Sequence, residues 1–137
     1  ALTATFTGDT YGSDNWAEIC AVDPTGTENV AANYPAFYFA NTYGTTAGLT
    51  GTDYENGWYV PSIAELCEVY KNKEVIQTSL TKASGFTIGT SSYWSSSQSD
   101  PYDSSACGVY FVDGEISDNS CKYNNYYVFV LQALTAK

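Results

Sequence analysis

Histidine, arginine and methionine are missing from this 137-residue sequence, and two of those absences exclude chemistry. Without histidine the commonest general base and the commonest metal ligand are gone. A serine-hydrolase triad or a histidine-bearing zinc site cannot be assembled. Positive charge is scarce: five lysines face fifteen acids, a formal net charge of -10. Phosphate backbones repel such a chain, and it has no cationic patch to release counterions, so nucleic acid is excluded as a partner. No run of about eighteen apolar residues occurs, which excludes a membrane-spanning helix and direct insertion. No basic segment leads into an apolar one, so no signal peptide is read. The chain starts at Ala1 without an initiator methionine. A mature form or excised domain is therefore expected, with any targeting or lipid-anchor signal lost.

Four cysteines are present, at Cys20, Cys67, Cys107 and Cys121, and none of them forms a CxxC pair. The spacing fits no zinc pattern. An even number permits two disulfides in three connectivities, and buried free thiols acting as small hydrophobes are the other reading. Both stay open at this point.

What the sequence does contain suits one folded domain over residues 1–137. The length supports a single core, and 44% apolar residues argue against disorder. Residues 1–92 read as a mixed scaffold half, and 93–134 as polar-aromatic strands and loops. The alternation of residues 2–7 predicts a half-buried strand. Trp16, Ile19 and Cys20 recur at helical spacing after Ser13. Residues 33–40 predict a short helix with Pro35 in its first turn, and a glycine- and threonine-rich connector follows over 44–52. At Gly57-Trp58-Tyr59-Val60-Pro61-Ser62 a short strand runs into a helix start. Ser62 is a good N-cap and Glu65, three residues on, completes a capping box. Ile63, Leu66, Val69 and Tyr70 then share one face, with Glu65, Glu68 and Lys71 outside. A further helical pattern through Val75, Ile76 and Leu80 stops at Gly85.

Beyond Tyr93 the pattern changes. Val109 and Phe111 are placed inward and Tyr110 outward by strand alternation, and Asp113-Gly114 predicts a hairpin turn. Residues 127–134 read as a buried strand whose natural partner is the N-terminal one. Between Ser95 and Tyr127, twenty of thirty-three residues are Ser, Asp, Asn or Tyr. Tyrosine offers large, rigid contact area, and Ser and Asn offer adaptable hydrogen bonds, so this is the composition of a binding surface.

Two motifs carry a resemblance. Gly57-Trp58-Tyr59-Val60-Pro61-Ser62-Ile63-Ala64-Glu65-Leu66 resembles the GWYLPS-x-AEL segment of a bacterial family related to formylglycine-generating enzymes and C-type lectins. Tyr93-Trp94-Ser95-Ser96-Ser97-Gln98 resembles its YWSSS motif. Residues 106–134 are similar to the terminal variable region of diversity-generating retroelement proteins. There a pattern close to A-W-n-V-n-F-n-n-G-n-V…K…n-Y-V-x-x-V ends the protein, and n marks positions diversified by adenine mutagenesis of asparagine codons. On that pattern Val109, Phe111, Gly114, Ile116, Lys122, Tyr127, Val128 and Leu131 are framework. Gly108, Tyr110, Val112, Asp113, Ser117, Asp118, Asn119, Ser120, Tyr123, Asn124, Asn125 and Tyr126 are diversified positions. Phe129 stands where many relatives carry arginine, and Cys107 where the pattern has tryptophan.

The resemblance implies an α+β, C-type-lectin-like fold: two helices packed on a small, mainly antiparallel sheet, with adjacent N- and C-terminal strands. It implies non-enzymatic recognition of a protein or other surface macromolecule, without cofactor or metal, at a cell surface, in an extracellular setting or on a phage particle. The expected contact residues are Tyr102, Asp103, Ser105, Gly108, Tyr110, Asp113, Ser117, Asp118, Asn119, Tyr123, Asn124, Asn125, Tyr126 and Phe129. Tyr102, Tyr110, Tyr123 and Tyr126 are expected on one face as the main anchors. A disulfide between Cys107 and Cys121 is expected across the hairpin. Two rivals are weighed beside this. A formylglycine-generating-type enzyme would need Cys107 and Cys121 as its reactive pair, with no histidine or arginine to lower a thiol pKa. A calcium-dependent sugar-binding lectin could draw oxygen ligands from Asp100, Asp103, Asp113 and Asp118, although no EPN- or WND-like motif is present.

Overall fold

A computed structural model describes residues 10–83, 85, 87–99, 105–122 and 124–133. The chain is α+β, with helices gathered in the first part and most strands in the second. The helices are α1 (Asn15–Val22), α2 (Val30–Asn33, after a 3-10 turn at Gly26–Asn29), α3 (Pro35–Thr46), α4 (Ile63–Lys71) and α5 (Lys73–Ala83). The strands are β1 (Trp58–Tyr59), β2 (Ser92–Gln98), β3 (Ser105–Tyr110), β4 (Glu115–Cys121), β5 (Tyr127–Val128) and β6 (Leu131–Gln132). The five helices of the described residues exceed the two expected, because the helical patterns around Trp16 and Pro35 fold as helices in addition to α4 and α5. No helix of the described residues is long and apolar enough to cross a membrane.

Four strands form one sheet in the order β4-β3-β2-β5, antiparallel except for the parallel β2–β5 pair. β1 and β6 form a second, two-stranded antiparallel sheet. The tail therefore does not run as one strand. Tyr127 and Val128 pair with β2, then Leu131 and Gln132 pair with β1. Between the two pairings Phe129 turns onto the core, and that step breaks the single strand. The expected N-terminal strand at residues 2–7 lies outside the described residues.

Helix α4 forms where its cap residues demand. Ser62 Oγ accepts from Glu65 N, and Glu65 Oε1 accepts from Ser62 N, so two first-turn donors are satisfied reciprocally. Glu65 was expected to face solvent. Instead its carboxylate also takes Gly12 N–H at 2.6 Å and the Tyr59 hydroxyl at 2.7 Å, tying α4 to the segment before α1 and to β1. Burial and the Glu65 bond push the Tyr59 pKa up. α5 ends where Gly85 N–H closes on Leu80 O.

The apolar face of α4 makes the core. Leu66 and Val69 pack with Tyr93, Val109 and Phe111, and Phe129 and Leu131 close over them. Each such side chain contributes roughly 1.5–3 kcal/mol over an exposed position. The rings meet edge-on or tilted: Tyr93–Phe111 at 4.5 Å, Tyr70–Phe111 at 5.4 Å and Tyr93–Phe129 at 5.5 Å between centroids.

The two motifs of the resemblance meet in space. Ser96 N–H donates to Pro61 O at 2.7 Å, and Ile63 N–H, an orphan donor of the first turn of α4, donates to Ser97 Oγ at 2.9 Å. Asn15 Nδ2 of α1 donates to Ser96 Oγ at 2.7 Å, and Ser95 Oγ donates to Cys107 O at 2.7 Å. All three serines are buried. They form a hydrogen-bonded seam joining α1, α4, β2 and β3, a use of polar residues that satisfies buried groups without apolar contact.

Candidate functional site

Strand β3 has two unlike faces. Val109 and, just past the strand end, Phe111 are 1% exposed and press on α4. Tyr110, between them, stands on the opposite face and is half-buried. The hairpin is closed by Gly114, whose φ of +80° is in the left-handed region and whose N–H donates to Tyr110 O at 2.7 Å. A side chain there would also collide with the Tyr70 ring. The four-residue connection sets the register, with Tyr110 opposite Glu115 and Gly108 opposite Ser117. Directly opposed residues of an antiparallel pair project to the same face, so Tyr110, Glu115 and Ser117 share the outer one.

Trp94 of β2 also lies opposite Gly108, and the Tyr126 ring covers this point, 4.4 Å from the Trp94 ring. The Tyr126 and Tyr110 rings meet edge to face at 6.3 Å. Beneath them Ser117 and Ser120 share a hydroxyl hydrogen bond at 2.5 Å, and Ser120 reaches the Tyr126 hydroxyl at 3.3 Å. The hydroxyl of Ser117, then those of Tyr126 and Ser120, hydrogen-bond the Tyr110 oxygen and hold its pKa below the ordinary phenol value. Burial and the nearby Glu115 carboxylate oppose that shift. The result is a hydroxyl-linked tyrosine pair on a tryptophan floor, with exposed Glu115 opposite Tyr110 and exposed Asp113 and Asp118 along the same hairpin.

The expected contact residues divide. Tyr110, Ser117 and Tyr126 come together, with Asp113 and Asp118 beside them along the hairpin. Asn125 is exposed and Asn124 half-buried in the adjoining turn, where Asn124 N–H donates to Cys121 O at 2.9 Å. Ser105, Gly108 and Phe129 are placed inside. Ser105 is 3% exposed. A Cβ at Gly108 would lie 2.8 Å from Tyr93 O, so this position is held to glycine and displays no side chain. Phe129 packs on Tyr93 and Phe111. Tyr102, Asp103, Tyr123 and the Asn119 side chain lie outside the described residues. Of the four anchor tyrosines, Tyr110 and Tyr126 are therefore seen, and they are neighbours.

Glu115 belongs to this face without being among the expected contact residues, although a four-residue connection after Tyr110 places residue 115 opposite it. Ile116 and Tyr127, framework positions by the resemblance, are 52% and 61% exposed, Ile116 on edge strand β4 and Tyr127 on edge strand β5. Val112, at the hairpin tip, is 67% exposed.

The expected disulfide is not formed: none of the four cysteines is bridged. The register explains it, because Cys121 lies opposite Ser105 rather than Cys107. Diagonal neighbours on a sheet stand about 7–8 Å apart, beyond the usual span of a bridge. Cys107 Sγ instead points to Gln98 O at 3.8 Å. Among the described residues no three Cys, Asp or Glu side chains gather as a metal-ligand group. Asp100 and Asp103 fall outside the described residues. Comparison of the chain with protein-family models, with curated proteins and with solved structures finds no match.

Proposed function

We propose that this chain, residues 1–137, is a single non-enzymatic binding module on a C-type-lectin-like scaffold. Its ligand is a protein or other surface macromolecule, met at a cell surface, in an extracellular setting or on a phage particle. One observation carries the reading. A strand anchored in the core through Val109, with Phe111 following it, offers on its other face a partly open tyrosine pair, Tyr110 and Tyr126, with serine and carboxylate neighbours. Tyrosine over hydroxyl and carboxylate groups is interface chemistry. The similarity of residues 106–134 to a diversified region supports the same face, as does the contact between the GWYVPS and YWSSS segments that stiffens its base. Tyr102, Asp103 and Tyr123 remain candidates for the same surface.

The test is an array of surface proteins probed with the wild-type chain, a Tyr110→Ala/Tyr126→Ala variant and a remote Lys82→Ala control. Targets bound by the wild type should be lost by the double variant, at least about ten-fold weaker, since anchor residues in interfaces are worth about 2 kcal/mol or more. The control should bind unchanged. Targets held equally well by the double variant would move the site elsewhere.

A further inference from the structure

We propose that the tyrosine face takes a cationic protein segment, with an arginine side chain laid on Tyr110 and Tyr126 and its guanidinium against Glu115. This rests on the reading of that face as a binding surface. Glu115 stands opposite Tyr110 in the β3–β4 register, and its charge is felt at the Tyr110 hydroxyl. The two side chains therefore rise from neighbouring positions on the same face. Asp113, at the hairpin tip, uses Oδ1 to accept Glu115 N–H at 2.9 Å, and Asp118 is exposed. Among the described residues the one ion pair is Lys71–Glu68, on α4. Among the described residues the hairpin carboxylates are thus not matched by a lysine. A planar cation supplies both missing contacts at once, because guanidinium stacks on aromatic faces and pairs with carboxylates in a fixed geometry. The chain's net charge of -10, with no arginine of its own, adds long-range attraction for a basic partner.

The face itself is what distinguishes this from diffuse attraction to an acidic protein. Exposed acids occur elsewhere, at Glu18 and Glu28 for example. At Tyr110 and Tyr126, however, two rings 6.3 Å apart and set edge to face provide aromatic area against which the alkyl stem and guanidinium can pack.

The experiment is an NMR titration of the labelled protein, at about physiological ionic strength, with a capped nine-residue arginine peptide and a capped nine-residue lysine peptide. Amide shifts on adding the arginine peptide should concentrate at Tyr110, Glu115, Ser117 and Tyr126. Glu115→Gln should weaken binding about two- to five-fold, the range of one partly exposed ion pair. The lysine peptide should bind more weakly than the arginine peptide, and Glu28→Gln should leave affinity unchanged. Shifts spread evenly over the acidic surface, equal losses for Glu115→Gln and Glu28→Gln, or no shifts at all would overturn the proposal. The array separates the two readings. A target lost by Tyr110→Ala/Tyr126→Ala yet indifferent to Glu115→Gln and to competing arginine peptide would leave the binding face standing and remove the cationic partner.

Discussion

Two stretches of this chain are both rich in small polar residues and tyrosine and have largely different fates. Tyr93-Trp94-Ser95-Ser96-Ser97 is buried throughout, its hydroxyls bound to helix starts and strand backbone. The segment from Ser117 to Tyr126 is likewise rich in hydroxyl and amide side chains, yet Asp118 and Asn125 are exposed and Ser117, Asn124 and Tyr126 half-open. The difference is position in the sheet. β2 lies between β3 and β5, with α4 and α1 against it, whereas β4 is an edge strand. A serine with two elements packed on it becomes a connector; on edge strand β4 Ser117 stays half-open, while Ser120, bonded to Ser117 and Tyr126, is 4% exposed. Composition alone therefore does not mark a display surface.

The sharpest break between inside and outside falls within β3 and its turn. Phe111→Ala should cost roughly 3–5 kcal/mol by emptying the centre of the aromatic core, whereas Tyr110→Ala should cost much less, since its ring is only half-buried. Chemical denaturation of the two variants checks the order. Equal losses would mean that the outer face is as structural as the inner one.

The seam comes next in size. Ser97→Ala leaves Ile63 N–H without its acceptor at the start of α4 and should cost about 1–2 kcal/mol, read from the same denaturation midpoints. A neutral result would return β2 to the class of ordinary polar strands.

A buried polar group away from the sheet extends the contrast through pH. Asp23 is 5% exposed and accepts from the Tyr34 hydroxyl at 2.6 Å and Gly26 N–H at 3.0 Å. Those bonds, the Tyr34 one first, hold its pKa below 3.8, while burial and Asp23 push Tyr34 up to about 12. A carboxylate with a depressed folded pKa stabilises the fold above its unfolded value, and that stabilisation is lost as pH falls through the folded one. The melting-temperature gap between wild type and Asp23→Asn should therefore be full near neutrality and close below pH 3.8. A gap that stays constant to low pH would show that the carboxylate charge contributes nothing.

The smallest effect belongs to the open segment. Asn125→Ala should change stability by no more than about 0.5 kcal/mol, and calorimetry would expose any larger role.

Local signals were legible wherever neighbours in sequence decide the structure. The Ser62–Glu65 capping box, Pro35 at the start of α3, the end of α5 at Gly85 and the hairpin at Asp113-Gly114 all form as the residues predict. What escaped was set by distant partners. Glu65 looked like a solvent-facing helix residue, yet Gly12 and Tyr59 converge on it from far along the chain. Gly108 looked exchangeable, but the carbonyl of Tyr93 on the next strand leaves no room for a Cβ. Cys107 and Cys121 flank the hairpin as bridge partners would, but the four-residue turn that sets Tyr110 against Glu115 fixes the register, and Cys121 falls opposite Ser105 instead. For the site, Tyr110, Ser117 and Tyr126 could be chosen from strand alternation and composition. Phe129 could not, because its inward turn depends on the break between β5 and β6.

A saturation substitution scan, scored in parallel for folded surface display and for binding to a target recovered from the array, tests the central claim most directly. Substitutions at Ser95, Ser96 and Ser97 should lose folding and binding together, while those at Tyr110, Ser117, Asp118 and Tyr126 should lose binding with folding retained. If the second group failed in folding as the first does, or bound whatever residue it carried, the outer face of the hairpin would not be the binding surface.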